Sequence, residues 1–93
     1  MRYVFKGKSD QEFSKLSREV QIQIMKKMEF FMASPDPLRF AERLNNFELG
    51  EYRFRIGDYR VSFDVEDNTA KILKVGHRKN MYRWKIYLNL FFC

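Results

Sequence analysis

Between Gly50 and Phe63 two alternating runs flank a two-residue turn. Tyr52, Phe54 and Ile56 alternate with Arg53 and Arg55; Tyr59, Val61 and Phe63 alternate with Arg60 and Ser62. Gly57-Asp58 lies between the runs and suits a tight hairpin turn. In a strand, successive side chains point to opposite faces. The stretch therefore reads as a β-hairpin with a greasy face and an arginine face. Arginine forks held in register on strands suit phosphate, so a binding face for RNA is the first expectation.

The charge balance points the same way. The chain of 93 residues carries a formal net charge of +6. Residues 1–51 hold 9 basic and 8 acidic residues, and residues 52–93 hold 9 basic and 4 acidic. The excess sits with the arginine hairpin and favours a polyanion partner. A solvated basic surface kept for solubility is the bland alternative.

This length makes one domain with a single modest core. Its apolar content of 45% and aromatic content of 17% fit a folded chain. Cys93 is the one cysteine, which excludes an internal disulfide and makes a reducing cytosol the expected compartment. One cysteine and one histidine cannot form a Cys/His metal cluster. The start, Met1-Arg2-Tyr3-Val4-Phe5-Lys6, is too short and too charged for a signal peptide. No apolar run reaches the ~18 residues of a membrane span.

Along the chain, Tyr3-Val4-Phe5 is a strand candidate. Ser9 and Glu12 have the spacing of a capping box, with Ser9 as N-cap. Phe13, Leu16, Val20, Ile24, Met28 and Phe31 then recur at steps of three and four, an apolar helical stripe. Ser17 divides it into a short helix and a longer one. Ser34-Pro35-Asp36-Pro37 ends it. Residues 38–49 have no clear period; Phe40, Leu44 and Phe47 could anchor a loop or a helical turn. Asp67-Asn68 supplies a second turn, and residues 70–77 a further strand. There, period two puts Leu73 and Val75 on one face, Lys74, Gly76 and Arg78 on the other, and leaves Ile72 on the polar side.

The expected fold is α+β, in the order β-α-α-β-β-β: an antiparallel twisted sheet with a helical hairpin on one face. Arg53, Arg55, Arg60 and Arg78 collect on the other. Core positions are Phe13, Leu16, Ile24, Met28, Phe54, Val61, Phe63 and Val75. Residues 83–93 form an apolar tail that docks on the domain, meets a partner, or has no role.

Glu51-Tyr52-Arg53-Phe54-Arg55-Ile56-Gly57-Asp58-Tyr59-Arg60-Val61, followed by Ile72-Leu73-Lys74-Val75-Gly76-His77-Arg78-Lys79-Asn80-Met81-Tyr82, resembles the RelE/ParE toxin superfamily. The resemblance covers residues 1–82 and includes the element order. It implies a type II toxin held inactive by a cognate antitoxin. RelE-like members cut messenger RNA in the ribosomal A site; ParE-like members share the fold and poison DNA gyrase. An inactive domain kept as an antitoxin-binding or regulatory partner is a further rival.

Carried over by position, Arg60 falls on a phosphate-binding arginine, Arg78 on a catalytic arginine, and Tyr82 on a base-stacking tyrosine. Arg53 and Arg55 fall where RelE-like members have strand lysines. Lys74 and Lys79 join them as RNA-binding candidates. The implied reaction is attack by a ribose 2′-hydroxyl on the adjacent phosphorus, which needs neither metal nor cofactor. Arginine, with a pKa above ~12, hardly serves as a general base. His77, which titrates near 6.5 when unperturbed, is then the candidate base, against a structural or rim role.

Overall fold

In a computed structural model, described over residues 1–46 and 50–80, strands and helices follow the expected order with one addition. Strand β1 spans Arg2–Phe5, helix α1 Ser9–Ser14, helix α2 Arg18–Ala33, and a 3₁₀ turn Pro37–Phe40. Strands β2 (Ala41–Asn46), β3 (Gly50–Ile56), β4 (Tyr59–Glu66) and β5 (Thr69–His77) complete an α+β fold. Their sheet order is β1-β5-β4-β3-β2.

The hairpin phase is the one the alternation predicts. Tyr52 pairs with Phe63, Phe54 with Val61 and Arg55 with Arg60. Gly57 turns the chain at φ +59°, where a side chain would be strained. Asp67 and Asn68, at φ 53° and 56°, make the second turn in the left-handed conformation that these residues tolerate best after glycine. Ile24, Met28 and Phe31 of α2 close over Phe54, Ile56, Val61, Phe63, Ala70, Ile72 and Val75. Rings of Phe31, Phe54 and Phe63 stack in series, with centroids 4.4 and 4.6 Å apart. Phe13 and Leu16, expected in the core, pack at its margin, partly buried.

Four expectations are corrected. First, residues 41–46 form an edge strand rather than a loop or turn. Ala-Glu-Arg-Leu-Asn-Asn has no apolar alternation, because an edge strand that meets solvent on one side carries charge. Second, β1 joins the sheet parallel to β5, so the sheet is mixed. No hairpin ties β1 to its neighbour: the helices carry the chain from one sheet edge to the other.

Third, β5 carries a bulge. Phe63 pairs with Ile72 and Ser62 with Lys74, leaving Leu73 extra. The bulge breaks period two, so Ile72 and Val75 both reach the core and Leu73 leaves it. Fourth, Ser9 is not the N-cap of α1; Lys8 holds that position, without a side-chain bond. Ser9 is fully buried, and its Oγ lies 2.7 Å from Lys6 O and 2.9 Å from Ile72 O, so its one hydroxyl hydrogen can be donated to either. Glu12 instead takes the Val75 amide at 3.1 Å, a donor on β5 beyond the end of β1. Ser17 does cap α2, accepting from the Val20 amide.

Candidate nucleic-acid interface

The sheet face turned away from the helices gathers the arginines. Arg53 pairs with Ser62, Arg55 with Arg60, and Arg60 with Gly76, so register alone brings three guanidinium groups to one face. Glu42 on β2, opposite Arg53, forks across two of them. Arg53 donates to its Oε2 at 2.7 Å and Arg55 to its Oε1 at 3.1 Å. These bonds, Arg53 foremost, hold the Glu42 carboxyl below the usual carboxylate range.

Arg60 differs from its neighbours. It is only 6% exposed, not on an open surface as expected. One guanidinium nitrogen donates to Gly57 O and Tyr59 O, both at 2.9 Å, which folds the side chain back over the hairpin turn. Burial, then the charges of Arg55 and Arg53, push its pKa below the ordinary arginine value; Glu42 opposes this and Arg78 adds to it. It stays cationic at neutral pH.

Arg78 lies exposed at the rim. Its amide donates to Asp58 O at 2.7 Å, and its Nε lies 3.7 Å from Asp58 Oδ1. Arg53 Nε and Ser62 Oγ, on residues directly opposite each other, are buried on this face with no hydrogen-bond partner among the described residues. Arg53, Arg55 and Arg60 crowd the middle of this face, where Glu42 is bonded to two of them; Asp58 lies at the rim beside Arg78.

Not every expected residue joins it. Lys74 pairs with Ser62, but its ammonium is turned to Glu12 Oε2 at 3.0 Å. Lys79 is exposed, and its amide donates to His77 Nδ1 at 3.1 Å. His77 pairs with Tyr59, one residue out of phase with Arg60 and Gly76. It therefore belongs to the opposite face, with its ring edge-on to Tyr59 at 5.3 Å. The Nδ1 lone pair, needed to take a proton, is already engaged. Tyr82 and the tail lie outside the described residues. Glu42 was missed in the sequence reading because its strand showed no alternation.

No group of three or more His, Cys, Asp and Glu residues is placed to hold a metal among the described residues. No described helix is long and apolar enough to cross a membrane.

Residues 3–82 match the family model described as ParE toxin of type II toxin-antitoxin system, parDE. No curated protein matches the chain. Among solved structures, the RelBE2 toxin–antitoxin complex from Mycobacterium tuberculosis aligns with a TM-score of 0.66 at 26% identity, over 82% of this chain and 95% of that one. The RelB–RelE complex from Methanococcus jannaschii aligns at 0.66 and 19% identity, over 87% and 96%. The intact E. coli RelBE complex aligns at 0.64 and 22% identity, over 82% and 94%. The last two are similar in fold.

Proposed function

Because the chain belongs to the ParE toxin family of type II toxin-antitoxin systems, with RelE-like architecture, we propose that it acts as a metal-independent endoribonuclease on messenger RNA. The observation that carries this reading is the arginine cluster itself. Arg53, Arg55 and Arg60 share one sheet face, with Glu42 bonded to the first two and Arg78 at the rim beside Asp58.

In this reading the ribose 2′-hydroxyl gives up its proton and its oxygen attacks the adjacent phosphorus, while the bond to the 5′-oxygen breaks and that oxygen takes a proton from solvent. The products are a 2′,3′-cyclic phosphate and a free 5′-hydroxyl. The nucleophile belongs to the substrate, so no cofactor is required. Negative charge grows on the phosphoryl oxygens, where preorganised Arg60 and Arg78 stabilise it. Arg53 and Arg55 hold the backbone.

An incoming phosphate competes with Glu42 for those two arginines. Losing their hydrogen bonds returns the Glu42 carboxylate toward ordinary basicity, so it is freed as a proton acceptor when substrate arrives. His77, on the opposite face, is left a rim or structural role. Tyr82 stacks on a base in this scheme. The partners are an antitoxin, as the solved RelBE complexes hold for their own toxins, here with an acidic segment to meet the basic face, and the messenger on the ribosome. The cytosol is where both would be met.

A second reading is inhibition of DNA gyrase, favoured by the ParE description of the matching family. Expression in cells with and without the cognate antitoxin separates the two. The ribonuclease reading requires new messenger ends bearing 2′,3′-cyclic phosphates, lost on Arg78→Ala. Intact messengers with gyrase trapped on DNA would overturn it.

A further inference from the structure

A recess lies at the open edge of β5, between α1 and the end of that strand, with Gly76, the partner of Arg60, in its lining. It is a cleft of about 420 Å³ lined by Lys15, Leu16, Tyr59, Lys74, His77 and Asn80, among others. Its chemistry is uneven in a useful way. Glu12, its carboxylate, is already committed: one oxygen accepts from Lys74 Nζ and the other from the Val75 amide. Lys15 is exposed at the mouth and enters no ion pair among the described residues. His77 Nδ1 accepts from the Lys79 amide, so Nε2 carries the ring proton and is a donor. Asn80 adds an amide. Leu16 and the Tyr59–His77 ring pair give an apolar, aromatic wall.

We propose that this cleft binds a nucleoside phosphate, with the phosphate at Lys15 and His77 Nε2 and the base against Leu16 and Tyr59. Free donors and an aromatic wall within one recess match the two halves of a nucleotide. The geometry also joins the cleft to the arginine face. Tyr59 and His77 are cross-strand partners, and so are Arg60 and Gly76, the next residues along. The two sites are therefore back to back at one end of the sheet, with Arg78 at the rim between them. The ligand's source is either a free nucleotide or the nucleotide next to the one on the arginine face; the second alternative rests on the ribonuclease reading.

Amide chemical shifts of the full chain, titrated with cytidine 5′-monophosphate, inorganic phosphate and a 2′-O-methylated RNA hexamer, test this. The monophosphate should move the amides of Leu16, Val75, His77 and Asn80, and inorganic phosphate should move them far less. Lys15→Glu should weaken the monophosphate at least tenfold, whereas Lys26→Glu on the exposed side of α2, with the same change in net charge, should not. A hexamer that moves both cleft and arginine-face amides identifies the strand as the source, and one that moves only the arginine face identifies a free nucleotide. Unmoved cleft amides with the monophosphate, an equal response to inorganic phosphate, or an indifferent Lys15→Glu variant would each overturn the proposal. A hexamer that ignores the arginine face would count against the ribonuclease reading alone.

Discussion

Arg55 stands directly opposite Arg60 across the β3–β4 ladder. Like charges in that position oppose folding by a few tenths to ~1 kcal/mol. A carboxylate opposite either arginine would have been the stabilising choice. Glu42 relieves Arg55 and Arg53, but its oxygens are bonded to those two, and Arg60 is left with backbone carbonyls. An electrostatic conflict kept in a sheet is what an anion site looks like before its anion arrives. Arg55→Gln should leave the melting temperature unchanged or raise it. The same change should weaken RNA binding and flatten its salt dependence by ~0.7 in log–log slope, the share of one phosphate contact on a single strand. Thermal unfolding and binding across a salt series measure both.

The two candidate catalytic arginines should separate in stability. Arg78→Ala removes an exposed side chain and should leave folding intact while cleavage drops ~10²–10³-fold. Arg60→Ala empties a buried position and deprives Gly57 O and Tyr59 O of their donor. It should lose similar activity and also ~1–3 kcal/mol of stability. Urea unfolding beside a cleavage assay distinguishes them.

Ser9 has a structural rather than a capping role. Ser9→Ala removes one hydroxyl donor that Lys6 O and Ile72 O share, inside the joint that holds α1 against β5; each carbonyl keeps a backbone amide, Ser9 N and Lys6 N. A loss of ~0.5–1.5 kcal/mol is expected in urea unfolding, the net worth of one buried hydrogen bond. Phe63→Ala, at a fully buried ring in the aromatic stack, should cost ~3–5 kcal/mol.

These examples also mark how far the sequence is legible. The hairpin phase, the α2 stripe and the arginine face follow from periods of two and 3.6, which burial on one side imposes. β2 escaped because Glu42 and Arg43 obey the needs of an exposed edge and a charged site, not of a core. The bulge at Leu73 escaped because one inserted residue erases the period it interrupts. Arg60's burial escaped for another reason: period two assigns a face, and only the fold around the turn decides how deep a side chain on that face lies.

The Glu42 carboxyl is held below its ordinary pKa in the folded chain, first by the Arg53 hydrogen bond. Its stabilising contribution is therefore present above the unfolded value, near 4.3, and lost as pH falls through the depressed folded value. Melting temperatures should fall less steeply below about pH 4.3 in Glu42→Gln than in the wild type. The difference should be small, because the pair is partly exposed and solvent screens it.

The same variant decides the route of the proton. If Glu42 accepts it, Glu42→Gln should bind RNA at least as tightly as the wild type, since Arg53 and Arg55 lose their internal competitor. It should nevertheless cleave ~10²-fold more slowly or worse, the usual contribution of a general base. His77→Gln should keep the wild-type cleavage rate at saturating RNA, because His77 lies on the opposite face with its Nδ1 lone pair occupied. The wild-type rate should then show no break near the histidine pKa of ~6.5 and decline only in the carboxylate range. Single-turnover cleavage of a short RNA from pH 4 to 8, with all three proteins, is the measurement. A collapse in His77→Gln together with a break near 6.5 would move the base to His77. The end of β5 would then have to turn over on binding substrate, bringing the imidazole round the rim beside Arg78.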